Sequence, residues 1–106
     1  MAFYDNIAFV NGRCTDDELL DQLIEECAEL IQACSKLKRA HKGTTPLPLA
    51  IAVDNFIEEM ADVSVAQAAV VRGIMDSEQI ERMFAIEREK AERWEKRLKG
   101  GAINNE

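Results

Sequence analysis

The chain has 106 residues, 13 basic and 20 acidic side chains, a formal net charge of −7 and 47% apolar residues. That is the size and make-up of one globular domain, and it argues against disorder and collagen-like repeats. The acidic balance argues against a protein that binds nucleic acid through direct phosphate contacts, which need the opposite sign. No uncharged apolar run approaches the ~18 residues of a membrane span, so no membrane partner is expected. Met1 to Asp5 open without the basic and apolar blocks of a signal peptide, so a cytoplasmic location is expected. Three cysteines, Cys14, Cys27 and Cys34, match no zinc-site spacing. They read as small hydrophobes in a reducing compartment.

Residues 1–14 carry Phe3, Tyr4, Ile7, Phe9 and Val10, which are expected to pack against the rest of the chain in an irregular or short helical form. The first long helix begins behind Thr15, where Thr15-Asp16-Asp17-Glu18 fits a capping box with acids in the first turn. Its apolar stripe is Leu19, Leu20, Leu23, Ile24, Cys27, Leu30, Ile31, Cys34 and Leu37, and the helix is expected to reach Ala40. The run from His41 to Pro46 is the clearest break. A second helix is expected from about Pro48 to Arg72, with Gly73 just past its end. From Leu49 to Val71, 16 of 23 residues are apolar, so this helix needs more cover than one small chain supplies. A third helix, capped by Asp76 with Gln79, is expected to run to about Leu98 along a seam of Ile80, Phe84, Glu87, Ala91, Trp94 and Leu98. The expectation is one all-α domain over residues 1–106. It has three long helices plus an N-terminal segment, a core over about 15–98 and a frayed tail over 100–106. A four-helix-type bundle core would be completed by oligomerisation.

Two acidic clusters stand out, Glu25-Glu26-Cys27-Ala28-Glu29 and Glu58-Glu59-Met60-Ala61-Asp62. Glu26 and Glu29 share one helix face, as do Glu59 and Asp62. Asp54, Asn55, Glu58, Glu59 and Asp62 fall within a sector about 140° wide on an otherwise apolar helix. Like charges at i, i+4 cost about 0.2–0.5 kcal/mol per pair on an exposed helix, and burial strengthens the repulsion. Two antiparallel helices with such pairs would set four carboxylates around one point, the oxygen-only arrangement that hard divalent cations favour. An ordinary solvated face is the competing reading for either cluster alone.

Glu-Glu-x-x-Glu followed by Glu-x-x-Asp, here Glu25, Glu26 and Glu29 and then Glu59 and Asp62, resembles the signature of the all-α nucleoside triphosphate pyrophosphatases. That family includes the MazG-like proteins, the dimeric dUTPases and phosphoribosyl-ATP pyrophosphatase. The resemblance covers about residues 15–98. It implies Mg2+, with Mn2+ as a substitute, held by Glu26, Glu29, Glu59 and Asp62. It implies hydrolysis of a (deoxy)nucleoside triphosphate to the monophosphate and pyrophosphate, in a homodimer or homotetramer, as nucleotide-pool house-cleaning. Glu25 or Glu29 is then the candidate proton acceptor. Lys90, Arg93 and Arg97 are the candidate phosphate contacts, with Lys36 weaker, and Asn55 is a candidate for base or ribose. Between Glu29 and Glu59 lie 29 residues, long for the family, and the excess is assigned to a loop over Lys38–Leu49 able to cover a substrate.

Other residues read more plainly. His41 is expected on the surface of the loop, Trp94 and Phe84 in the core, and Met60 and Met75 in packing or at a helix end. A di-iron carboxylate bundle would need Glu-x-x-His pairs, and the one histidine is His41. A non-catalytic helical interaction or regulatory module is the alternative of a different class.

Overall fold

Helical periodicity accounts for nearly the whole chain. A computed structural model describes residues 2–100. It contains α1 (Phe3–Arg13), α2 (Asp16–Lys42), α3 (Leu49–Ile74) and α4 (Ser77–Gly100), with no strand among the described residues. The all-α expectation holds, and the N-terminal segment takes the helical form. No described helix is long and apolar enough to cross a membrane. The chain divides into two compact units, Met1–Ile74 and Met75–Glu106.

The caps follow from local chemistry. Thr15 Oγ1 accepts from the Glu18 backbone N–H at 3.1 Å, and Glu18 Oε1 accepts from the Thr15 N–H at 2.9 Å. The same reciprocal box joins Asp76 and Gln79 ahead of α4, at 2.8 and 3.0 Å. Three boundaries differ from expectation. α2 runs to Lys42 because Gly43, at φ 69°, supplies the left-handed cap. His41 is therefore helical, and the Lys38–Leu49 loop shrinks to residues 43–48. α3 runs through Gly73 to Ile74. Gly100 closes α4 rather than opening a frayed tail, whose remaining residues 101–106 lie outside the described ones.

Within the first unit, α2 and α3 form an antiparallel hairpin. The turn over residues 43–48 joins one pair of ends, and at the other pair Leu19 lies against Gly73. The buried residues of α2 are Leu19 and Ala33, and those of α3 are Ala52, Ala66 and Ala69. Alanine lets the axes come toward the near end of the roughly 8–10 Å range for packed helices. Leu19 and Ala33 are separated by two heptad steps, and so are Ala52 and Ala66. The residues midway are Glu26 and Glu59. Each acid thus occupies a seam position between two buried apolar neighbours.

α1 closes one end of the hairpin. Ile7 is buried with Leu19 and Ala69, and Cys14, Ala68, Val70 and Ile74 pack around them. The other large α1 side chains, expected in the packing, are largely exposed: Phe3, Tyr4, Phe9 and Val10. Two of them meet guanidinium groups instead. Arg72 lies 3.8 Å from the Tyr4 ring centre and Arg13 lies 4.4 Å from that of Phe9.

The α2 stripe proves wider than its cover. Leu20, Ile24, Cys27, Ile31 and Cys34 repeat at four- and three-residue steps along α2, and all are exposed. Cys27 and Cys34, read as small hydrophobes on the apolar stripe, therefore sit on an open apolar seam, because α1 and α3 occupy only one side of α2. On α3, Ile51, Ile57, Met60 and Val65 are exposed as well. α4 has no buried residue. Phe84 and Trp94, expected in the core, are exposed there, as is Leu98, whereas Met75 falls at the α3–α4 junction.

The packing around Gly73, inside α3, leaves little room for a side chain. A Cβ at this position would lie 2.8 Å from both Asn11 Oδ1 and Leu19 Cδ1, and Leu19 is buried. Gly12, inside α1, has nothing within 4 Å of the same point. Gly12→Ala should therefore gain about 0.5–1 kcal/mol of helix propensity. Gly73→Ala should lose that gain to overpacking, which typically costs about 1–3 kcal/mol. Denaturant unfolding of the two variants should place Gly12→Ala above the parent and Gly73→Ala below it.

Candidate metal centre

The acids on α2 and α3 converge because of the seam register. The antiparallel hairpin brings Glu26 and Glu29 of α2 against Glu59 and Asp62 of α3. One carboxylate oxygen from each of Glu26, Glu29, Glu59 and Asp62 can be chosen so that all four lie within 4.8 Å of one another. Glu26 and Glu59 are half-buried seam residues, whereas Glu29 and Asp62, one turn away, are exposed. The four residues expected as a ligand set are thus brought together.

The hydrogen bonding of the two seam acids is incomplete. Gln22 Nε2 donates to Glu26 Oε2 at 2.6 Å, while Glu26 Oε1 is buried without a hydrogen-bond partner. Glu59 Oε1 is likewise buried and unpartnered. Buried carboxylate oxygens left without a donor are costly, and among the described residues no Lys or Arg forms an ion pair with any of the four acids. The donor set fits a hard divalent cation. It is all oxygen and anionic, and its spread compares with the ~4–5 Å between opposed oxygens around Mg2+ or Ca2+.

Mutual repulsion shows in the acid–base behaviour. The carboxyl of Glu29 is pushed up from its ordinary 4.5, first by desolvation, then by the charges of Glu59 and Glu26, contact with the Glu26 carboxyl and the charge of Glu25. Glu59 is also pushed up from 4.5, by desolvation and then by Asp62, Glu26 and Glu58, with a hydrogen bond from Glu29 offsetting part of the rise.

A cleft of about 640 Å3 opens beside this cluster, within the first unit. Ile7, Val10, Leu19, Val65, Ala66 and Ala69 give it an apolar lining, with Cys14 among them. Glu18, Asp21, Gln22, Glu25, Glu26 and Asp62 supply its polar groups. Glu26 and Asp62 thus belong to both cluster and cleft. Glu25, a candidate proton acceptor, lines the cleft. Lys36 and Asn55 are exposed on α2 and α3 and belong to neither the described cluster nor the cleft lining. Lys90, Arg93 and Arg97 are exposed on α4, in the second unit, where their spacing sets them along one stripe of that helix.

The sequence reading missed the cleft and the Gln22–Glu26 bond. The available signal was the heptad step Leu19-Glu26-Ala33, which puts Glu26 inside the seam and Gln22 one turn before it.

The raised carboxyls give a pH test. A group whose pKa is higher in the native than in the unfolded state contributes stability below its unfolded value, and that contribution is lost as pH rises through the native value. In metal-free buffer, Glu59→Gln should therefore melt progressively higher than the parent as pH is raised from about 4 toward 7, where the parent's carboxylates repel. Thermal unfolding across that range checks the trend, and a difference that does not grow with pH would remove repulsion as its cause. No protein-family model matches the chain, and neither the curated proteins nor the solved structures contain a significant match.

Proposed function

We propose that the protein hydrolyses a (deoxy)nucleoside triphosphate to the monophosphate and pyrophosphate, using Mg2+ held by Glu26, Glu29, Glu59 and Asp62. The observation that carries this reading is the convergence of four carboxylates with two unpartnered, buried oxygens, beside a cleft large enough for a nucleoside. Acids placed in a helical seam weaken the fold unless something neutralises them, and such strain is characteristic of functional sites. The motif resemblance gives the reaction class.

The bound cation would offset phosphate charge and lower the pKa of water at the site. The chain's own residues divide the remaining work. Water adds at phosphorus, the α–β phosphoanhydride P–O bond breaks, and pyrophosphate leaves with the bond electrons. The water proton goes to a carboxylate. Glu29, in the carboxylate cluster, and Glu25, on the cleft wall, are the candidates. Lys90, Arg93 and Arg97 are the phosphate cations that the motif resemblance implies, with Lys36 and Asn55 as further polar contacts. Nucleic acid is not the proposed partner, because the carboxylates that would hold the cation repel an uncoordinated phosphate backbone.

The open apolar seam Leu20-Ile24-Cys27-Ile31-Cys34 supports a homo-oligomer, since its spacing is that of a helix-packing seam. It also supports the second reading, a non-catalytic helical interaction module. The two readings differ in their response to metal. Mg2+ at ten times its dissociation constant should raise the melting temperature by about 5 °C or more, and the interaction module predicts no rise. A panel of NTPs and dNTPs with Mg2+ should yield pyrophosphate, and Glu59→Gln should cut the rate by about 100-fold or more. The double substitution Ile24→Lys and Ile31→Lys should shift the sedimentation mass toward a monomer. An unchanged mass would remove this seam as the interface.

A further inference from the structure

The cleft beside the carboxylate cluster has a chemical asymmetry that bears on which nucleotide fits. Its apolar lining suits the face of a flat ring, and its polar groups are almost all hydrogen-bond acceptors. Five are carboxylates: Glu18, Asp21, Glu25, Glu26 and Asp62. The exception is the Gln22 amide, which donates one of its two N–H groups to Glu26. Glu18 accepts from the Thr15 backbone at the α2 cap, and Glu26 and Asp62 belong to the proposed metal ligands. Asp21, Glu25 and the Gln22 carbonyl oxygen remain to meet a ligand, so acceptors outnumber the single donor left, the second Gln22 N–H. No Lys, Arg or His is among the described lining residues.

A carboxylate at neutral pH accepts hydrogen bonds and cannot donate them. A ligand carbonyl placed against it loses its water and gains repulsion, whereas an amino group gains a charge-assisted bond. Phosphates are repelled from these walls for the same reason. A nucleotide in the cleft therefore points its phosphates toward the cation-holding end, where Glu26 and Asp62 are shared by cleft and cluster.

We propose that this cleft receives the nucleobase and selects bases with an exocyclic amino group, cytosine, adenine and guanine, against uracil and thymine. The selection works largely by rejection, because the oxo group at C4 of uracil or thymine meets acceptors where an amino group would donate. The inference rests on the nucleotide reading above, and Asp21 is the specificity residue it singles out.

Cytosine and uracil nucleotides are the sharpest pair, since they differ only at C4 and N3. The first measurement is methyl NMR of the full chain, following Ile7 and Val65 with deoxycytidine or deoxyuridine and no metal. Deoxycytidine should shift both methyls, and deoxyuridine should bind at least ~10-fold more weakly. The second is kcat/KM for pyrophosphate release with Mg2+, in which dCTP should exceed dUTP by at least ~10-fold. Asp21→Asn, which adds a donor on an exposed residue, should move both ratios toward one while leaving the melting temperature unchanged.

Equal shifts from the two nucleosides, no shift from either, or equal kcat/KM values would overturn the base assignment. Pyrophosphate release without base preference would overturn it while the hydrolase reading stands. Discrimination between the nucleosides, with no pyrophosphate from any triphosphate, would support the base assignment and overturn the hydrolase reading instead.

Discussion

The first unit depends on a conflict within one helical seam. Leu19 and Ala33 on α2, and Ala52 and Ala66 on α3, hold two helices together, and midway between each pair stands a glutamate. Those positions would ordinarily carry a leucine or another alanine. Buried apolar neighbours bring the helices close, and closeness brings carboxylates together that repel one another. The packing that makes the fold is thus the packing that makes the site. Neither Glu26 nor Glu59 can move out of the cluster without opening the seam that positions it.

Supporting features absorb part of this cost. Capping boxes at Thr15 and Asp76 satisfy backbone N–H groups at helix starts that would otherwise go unpaired. Gln22 gives Glu26 one hydrogen bond and orients its carboxyl. α1 seals the far end of the hairpin through Ile7, and Gly73 permits the approach of Asn11 and Leu19 there. The Thr15 box and the contacts of Ile7 and Gly73 stabilise the hairpin away from the acids, which remain under-satisfied at its middle.

The helix starts were legible in the sequence because caps are local chemistry. Thr15 with Glu18 and Asp76 with Gln79 contain their own partners. The acidic pairs were legible for a similar reason, since helical spacing alone puts Glu26 with Glu29 and Glu59 with Asp62. What sequence could not supply was the division of an apolar surface. Leu19 and Leu20 look alike on the α2 stripe, yet one is buried and the other faces outward. Periodicity reports that a face is apolar, not which helix covers it. Phe84 and Trp94 were misread as core on that account. Gly73 was misread as a stop because its role is a contact with α1, far away in the chain. The cleft was invisible for the same reason, being assembled from three helices.

The register has a consequence for how much length change the chain tolerates. Residues 43–48 lie outside every seam contact, and closing a slightly longer turn adds little entropy. Insertions there leave the meeting of Glu26 and Glu29 with Glu59 and Asp62 untouched. A single residue inserted between Leu19 and Glu26 rotates everything beyond it by about 100°, swinging Glu26 off the seam and Glu29 away from Glu59. The hairpin thus behaves as a ruler with a free hinge and a rigid scale. Its turn is a natural place to graft extra sequence, and its helices accept none.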